Sequence, residues 1–305
     1  MNDLLRLTTV EETGSCCAAL AAPRYELLPI KGMPEAAREL PPGAVVTVTC
    51  SPRHGLERTL EAAEWLMGAG FRAVPHIAAR LVRDPAHLRR LVERMLAAGI
   101  DDCFVVGGDA GRPAGEYAGG VELLEAMAAM SARPARLGVP AYPEGHHHFD
   151  DLALQRVLDA KAALADYAVT QMCFEPSTVL AWLERQRQSG MSLPVHVGIP
   201  GVMDRTRLLS VARRIGLGAS TRMLGRRKGL VGRLLQPAVY RPDDLLQGLL
   251  AALGDGDRGI AGLHVYTFNQ VGPTRAWLDE LHASRCAWSG LGSPAAPATI
   301  ADQPG

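Results

Sequence analysis

Short β-branched runs alternate with longer amphipathic stretches along nearly the whole chain, and no other feature constrains its fold as tightly. The strand-like runs are Arg24–Pro29 (RYELLP), Ala44–Thr49 (AVVTVT), Arg72–His76 (RAVPH), Asp102–Val106 (DCFVV), Arg136–Tyr142 (RLGVPAY), Tyr167–Met172 (YAVTQM), Pro194–Ile199 (PVHVGI) and Gly262–Thr267 (GLHVYT). Between them stand LERTLEAAEWLMGAG, AHLRRLVERMLAAG, VELLEAMAAM and TVLAWLERQRQSG. Each has apolar residues three or four apart, and several end in glycine, as helices do. Strict alternation of strand and helix means parallel pairing through right-handed crossovers. Eight such units in 305 residues fit a closed (β/α)8 TIM barrel of the α/β class better than an open sheet.

The barrel is expected as a single domain over residues 21–288. Residues 1–20 are expected to form an N-terminal cap or frayed segment. The Pro-, Ala- and Gly-rich residues 289–305 are expected to be a disordered tail. Hydrophobic residues make up 48% of the chain, enough to bury a full core. Lys plus Arg equals Asp plus Glu at 32 each, which argues against a nucleic-acid partner, since such affinity comes from excess cationic charge. No apolar run reaches membrane-spanning length, and the N-terminus lacks the apolar core of a signal peptide. The six cysteines show neither CxxC nor zinc-like spacing, so reduced thiols and a cytoplasmic location are expected.

Met203–Tyr240 breaks the rhythm and is rich in arginine, with Arg222, Arg226, Arg227, Lys228 and Arg233 closely spaced. Such a stretch is either a solvated helix and loop, at a contact in an expected homo-oligomer, or a seat for an anionic ligand group.

Barrel chemistry sits at the C-terminal strand ends. The first strand carries Glu26. The second ends in Thr49 and Cys50, the third in His76, the fourth in Gly107, Gly108 and Asp109. The fifth leads through Tyr142 and Glu144 to His146, the sixth ends in Thr170 and Gln171, and the eighth carries His264, Tyr266 and Asn269. A carboxylate between Tyr25 and Leu27 is costly to bury without a purpose. Burial with few charged neighbours raises its pKa, which suits a general acid. The run His146-His147-His148 invites a metal, but adjacent histidines rarely face one ion and no carboxylate has convincing spacing, so no metal is expected.

The order of these segments resembles the bacterial methylenetetrahydrofolate reductase family over roughly Arg24 to Leu281. RYELLP resembles the family's opening strand, whose glutamate is the general acid. VTVTCSPRHGLERT, AVPHIAAR, VVGGDAGRPAGEYAGGVELL, VPAYPEGH, YAVTQMCF and GLHVYTFN resemble its later strand ends in order. The resemblance implies FAD at the barrel mouth, contacted by Thr49, His76, Gly108, Asp109, Tyr117, Ala118, Tyr142 and His146. It implies folate-side roles for Glu26, Asp109, Gln171 and Tyr266, with Glu26 and Asp109 catalytic. The implied reaction is reduction of 5,10-methylenetetrahydrofolate to 5-methyltetrahydrofolate with NAD(P)H. The chain departs from the family at Gly107 and Ala160, which stand at cationic positions, with Lys161 adjacent to the second. Those departures keep open a flavin-independent or oxidatively running enzyme. A methyltetrahydrofolate-binding methyltransferase barrel is the other alternative.

Overall fold

A computed structural model describes residues 17–146, 149–204, 239–253 and 260–286, with the side chains of 285 and 286 outside the description. The barrel strands are β1 (Arg24–Leu27), β2 (Val45–Val48), β3 (Arg72–Ala78), β4 (Asp102–Val106), β5 (Arg136–Ala141), β6 (Tyr167–Thr170), β7 (Val195–Pro200) and β8 (Ile260–Tyr266). The helices are α1 (Met33–Ala37), α2 (Gly55–Gly68), α3 (Pro85–Ala97), α4 (Gly120–Ala128), α5 (Asp151–Ala162), α6 (Pro176–Gln188), α7 (Asp243–Leu253) and α8 (Val271–Cys286). All eight strands pair in parallel with their chain neighbours, and β1 closes the ring against β8. The expected TIM barrel is therefore the fold.

Local chemistry accounts for the helix ends. Asp84 caps α3 by accepting a hydrogen bond from the His87 amide at 2.6 Å, and Asp150 caps α5 from the Ala153 amide at 2.7 Å. The glycines after α2, α3 and α6 adopt positive φ, which stops each helix where the sequence pattern ends.

Two of the sequence expectations change. β3 runs on to Ala78, so His76 lies within the strand instead of ending it. Met203–Asp204 and Val239–Tyr240 form a short antiparallel ribbon. The basic stretch Arg222–Arg233, the two ends 1–16 and 287–305, and His147 and His148 lie outside the described residues. Among the described residues no helix is long and apolar enough to cross a membrane. Cys50, Cys103 and Cys173 are free, but Cys17 is disulfide-bonded, against the expectation of reduced thiols. Pairing depends on which cysteines the fold brings together, and spacing along the chain does not give that.

Register decides what fills the barrel. Residues paired across parallel strands point to the same side of the sheet. Glu26 pairs with Thr47, Thr47 with Val74, His76 with Phe104, Phe104 with Gly138, Gly138 with Tyr167, and Val169 with His196. The ring returns through His264 beside Arg24 and Tyr266 beside Glu26. The alternate set, including Leu27, Val46, Ile77, Val105, Val139, Ala168, Val197 and Val265, packs outward against the helices as the main apolar core.

The floor of the barrel is polar and closed. Arg24 donates to the Tyr167 hydroxyl at 2.8 Å and to Asp102 at 3.1 Å, and Tyr167 donates to Asp102 at 2.8 Å. The Arg24 guanidinium also lies 4.1 Å over the Tyr167 ring. All three residues are buried. Removing one member of such a network strands a charge and costs about 3–5 kcal/mol.

Gly138 makes room for this floor, since a Cβ there would overlap the Tyr167 ring. Gly138→Ala should therefore destabilise the protein by roughly 1–3 kcal/mol. Gly68→Ala is the control, because a Cβ at Gly68 meets nothing within 4 Å. Thermal melts of the two variants should separate, with only Gly138→Ala falling clearly below the parent.

Candidate active site

The C-terminal half of the barrel interior gathers an unusual set of side chains. Glu26 projects from β1 and is only 8% exposed. Its Oε2 lies 3.2 Å from Nε2 of His264 and 3.8 Å from Nε2 of His76. The His264 ring meets Tyr266 edge-on at 4.8 Å, and His76 packs against Phe104 at 4.8 Å. Burial pushes the Glu26 carboxyl up to about 7, with His76 pulling modestly the other way. Burial pushes His76 down to about 4, and it pushes His264 down to about 3 with help from the Arg24 charge below. The site is thus a carboxyl that holds its proton near neutrality, flanked by two neutral imidazoles. A group of that kind can hand a proton to a basic atom and take one back.

The backbone around Glu26 is fixed by Asn269, already picked out at the end of the last strand, and by Thr267, which the sequence did not single out. Thr267 donates its hydroxyl to the Glu26 carbonyl at 2.6 Å. Asn269 accepts from the Leu28 amide at 2.8 Å and donates to the Leu28 carbonyl at 3.1 Å, extending strand-like pairing past the end of β8. To do so Phe268 and Asn269 adopt φ of 50° and 64°. An asparagine three residues after the end of β8 was the available signal, since Asn tolerates that region and its amide imitates a peptide group.

The other expected residues fall on two sides of a line. Tyr266 donates to the Thr170 carbonyl at 3.0 Å, and burial near Glu26 and Tyr142 raises its hydroxyl well above the ordinary range. Tyr142 is raised to about 12 by burial and by the nearby Asp109 carboxylate. The Tyr266 hydroxyl thus feels the charge of Glu26 and the Tyr142 hydroxyl that of Asp109, which is exposed at the rim. Gln171 follows β6 half-buried, its side-chain amide without a hydrogen-bond partner among the described residues, and Thr49 sits half-buried past the end of β2. His146 stacks edge-on against Tyr142 at 5.1 Å. Gly108 has φ of +91° and presses on Ala78, so bare backbone lines the wall there.

Tyr117 and Ala118 lie apart. The Tyr117 side chain is buried in the outer apolar core, while Ala118 is exposed and its carbonyl accepts from Arg80 at 3.0 Å. Arg80 also donates to the carbonyls of Ala110 and Gly111, which holds the loop after β4 closed on itself. Glu144 likewise braces backbone, accepting from the Phe174 and Glu175 amides at 2.8 and 3.2 Å.

Lys161 is a cation that sequence reasoning undervalued. It projects from α5, is 5% exposed, and has no hydrogen bond or acidic partner for its ammonium among the described residues. Burial alone pushes it down to about 8. With Tyr142 and Arg185 it lines a cavity of about 200 Å³ beneath α5. A Cβ at Gly120 would lie 3.5 Å from its Cε.

The profile of the family described as Methylenetetrahydrofolate reductase matches residues 34–221 of this chain. The chain belongs to the methylenetetrahydrofolate reductase family. The matched span opens after β1 and ends before β8, so Glu26, His264 and Tyr266 stand outside it. Methylenetetrahydrofolate reductase 1 of Schizosaccharomyces pombe (strain 972 / ATCC 24843) is 33% identical over 66 residues, which is 21% of this chain and 11% of the yeast protein. This reductase-family chain thus spans about a tenth of that relative's length. A solved structure from Burkholderia cenocepacia J2315, described as a candidate lyase/mutase, aligns over 93% of this chain and 90% of its own with a TM-score of 0.45 and 16% identity.

The buried imidazoles predict a particular acid sensitivity. His76, His196 and His264 titrate near 6.5 when unfolded but at about 4, 3 and 3 when folded. Depressed folded values mean that stability is intact above 6.5 and falls with pH below it, as the unfolded chain takes up protons the folded one refuses. Glu26 opposes this, because its raised value makes the folded state the better proton binder between 4.5 and 7. Three groups against one leave a net loss of stability toward acid. Urea melts at a series of pH values from 7.5 to 5 should show it, and His196→Gln should flatten the slope.

Proposed function

We propose that this chain reduces 5,10-methylenetetrahydrofolate to 5-methyltetrahydrofolate, using NAD(P)H through FAD, with Glu26 as the general acid. The observation that carries the reading is a carboxyl protonated near neutrality inside the mouth of a barrel whose sequence belongs to this family.

The substrate holds its one-carbon unit in a five-membered ring between N5 and N10. A proton on N10 opens that ring and leaves an iminium at N5. Hydride addition to the exposed carbon then gives the methyl group. The chain must therefore protonate N10, hold the pterin in one pose, and keep water away from the cation. Glu26 gives the proton, and burial holds that proton available at neutral pH. Asp109 at the rim and the Gln171 amide are positioned to take hydrogen bonds from the pterin edge. Tyr266, its hydroxyl already committed to Thr170, offers its ring as a wall.

The residues present fit a flavin at both of its ends. His76 has a buried Nε2 without a hydrogen-bond partner. Together with Thr49, Gly108, Asp109, Tyr142 and His146 it would hold the ring system. Lys161, a largely buried lysine with no acidic partner among the described residues, would meet a phosphate in place of the cations lost at Gly107 and Ala160. When bound and reduced by the nicotinamide nucleotide, FAD would supply the hydride. A second reading, direct transfer from the nicotinamide nucleotide without flavin, is favoured by one observation: the Tyr117 ring, where the family resemblance expects a flavin contact, packs into the outer apolar core.

Glu26→Gln should lower methylenetetrahydrofolate reduction by at least ~10²-fold while the circular-dichroism melt survives. Because the protonated form is the active one, kcat of the parent should decline as pH rises through about 7. An absorbance scan of the purified protein tests the cofactor directly. Flavin bands are expected, and Lys161→Met should retain less flavin per chain. A colourless parent that still oxidises NADH or NADPH with the folate would replace FAD dependence with direct transfer.

A further inference from the structure

Both imidazoles beside Glu26 address the same carboxyl oxygen. His264 Nε2 lies 3.2 Å from Oε2, and His76 Nε2 lies 3.8 Å from that atom. Among the described residues neither ring hydrogen-bonds Oε1. His264 is 1% exposed, and its other nitrogen, Nδ1, is buried with no hydrogen-bond partner.

That asymmetry fixes a tautomer. A neutral imidazole carries one N–H. On Nδ1 it would be a buried donor with nothing to meet, at the full desolvation cost of an unmade bond. On Nε2 it donates to Oε2 of Glu26, and Nδ1 is left as a bare acceptor, the cheaper group to leave unsatisfied. The Arg24 guanidinium in the floor beneath disfavours a second proton on the ring. With Oε2 accepting, the acidic hydrogen of Glu26 is favoured on Oε1, because the carbonyl oxygen of a protonated carboxyl is a better acceptor than its hydroxyl oxygen.

We propose that His264 is a positioning residue that selects Oε1 as the proton-bearing oxygen of Glu26 and stabilises the carboxylate left on Oε2 after transfer. This rests on the general-acid reading of Glu26. In the transfer, the Oε1–H bond breaks and a bond from that proton to the substrate nitrogen forms. The charge left on the carboxylate is met by the His264 Nε2–H. The titratable groups facing Glu26 are His76 from β3 and His264 and Tyr266 from β8, while Arg24 acts on it through His264.

His264→Leu removes the donor, and His264→Asn keeps a polar group too short to reach Oε2. His264→Gln restores an N–H near the position of Nε2. Infrared difference titration of the protonated carboxyl band, identified by its loss in Glu26→Gln, reads the acid without needing turnover. In the Leu and Asn variants the band should persist to higher pH than in the parent, and in Gln it should return toward the parent. Turnover should follow, with kcat reduced roughly tenfold in Leu and Asn, KM little changed, and most of kcat recovered in Gln. A band that titrates identically in parent, Leu and Asn overturns the proposal. If the Leu variant does not fold, the Asn and Gln pair decides it alone. If the band shifts as expected while Glu26→Gln stays active, the positioning stands and the general-acid reading falls.

Discussion

The seam between β1 and β8 is the contact on which the rest of the molecule depends. A barrel has no edge strand only if its first and last strands meet in register, and here that register sets Arg24 beside His264 and Glu26 beside Tyr266. A slip of one residue would turn Glu26 outward into the apolar layer and bring Leu27 inside. Two side chains resist the slip from beyond the strand ends. Thr267 ties down the Glu26 carbonyl, and Asn269 pairs with both backbone groups of Leu28. The same few bonds that close the barrel therefore aim the carboxyl.

Polarity inside the barrel is divided by height. The floor spends its charges on one another, with Arg24, Asp102 and Tyr167 mutually bonded, so it can be sealed without leaving a net reactive group. Above it the balance is deliberately incomplete. Among the described residues Glu26 has no cation beside it, only imidazoles that burial keeps neutral. Had Arg24 reached Glu26, the carboxyl would have been held ionised at neutral pH and could not act as an acid. Asp102 intercepts that guanidinium one layer lower. The floor salt bridge thus matters to the mouth by keeping its arginine occupied.

The sequence made the architecture legible because every strand carried its own signal. All eight runs became strands, and their inward positions could be read by parity once the register was known. Parity also explains why Glu26, His76, Tyr142, Gln171 and Tyr266, scattered over more than two hundred residues, converge on one end. What stayed illegible was relational. His264 looked like one of several polar residues on the last strand, and only the β1–β8 register brings its Nε2 to Glu26. Tyr117 matched a motif by order, but the loop after β4 folds back onto Arg80 and buries the ring in the core. Lys161 was one position away from a family lysine and was set aside for it. On a helix a shift of one residue turns a side chain by about 100°, yet a lysine is long enough to recover much of that distance.

That last point bears on how this chain could hold an anionic cofactor with two family cations gone. A largely buried lysine with no acidic partner among the described residues carries a desolvation cost. Burial lowers the affinity of Lys161 for its proton, so the folded chain alone gains nothing from the charge. A phosphate alongside would reverse that balance, restoring the proton and returning binding energy for the desolvation already incurred. Arg80 offers no substitute, because three carbonyls hold its guanidinium within the loop. If a dinucleotide occupies this mouth, its negative charge has one buried partner among the described residues that gains from the meeting, and that partner is Lys161.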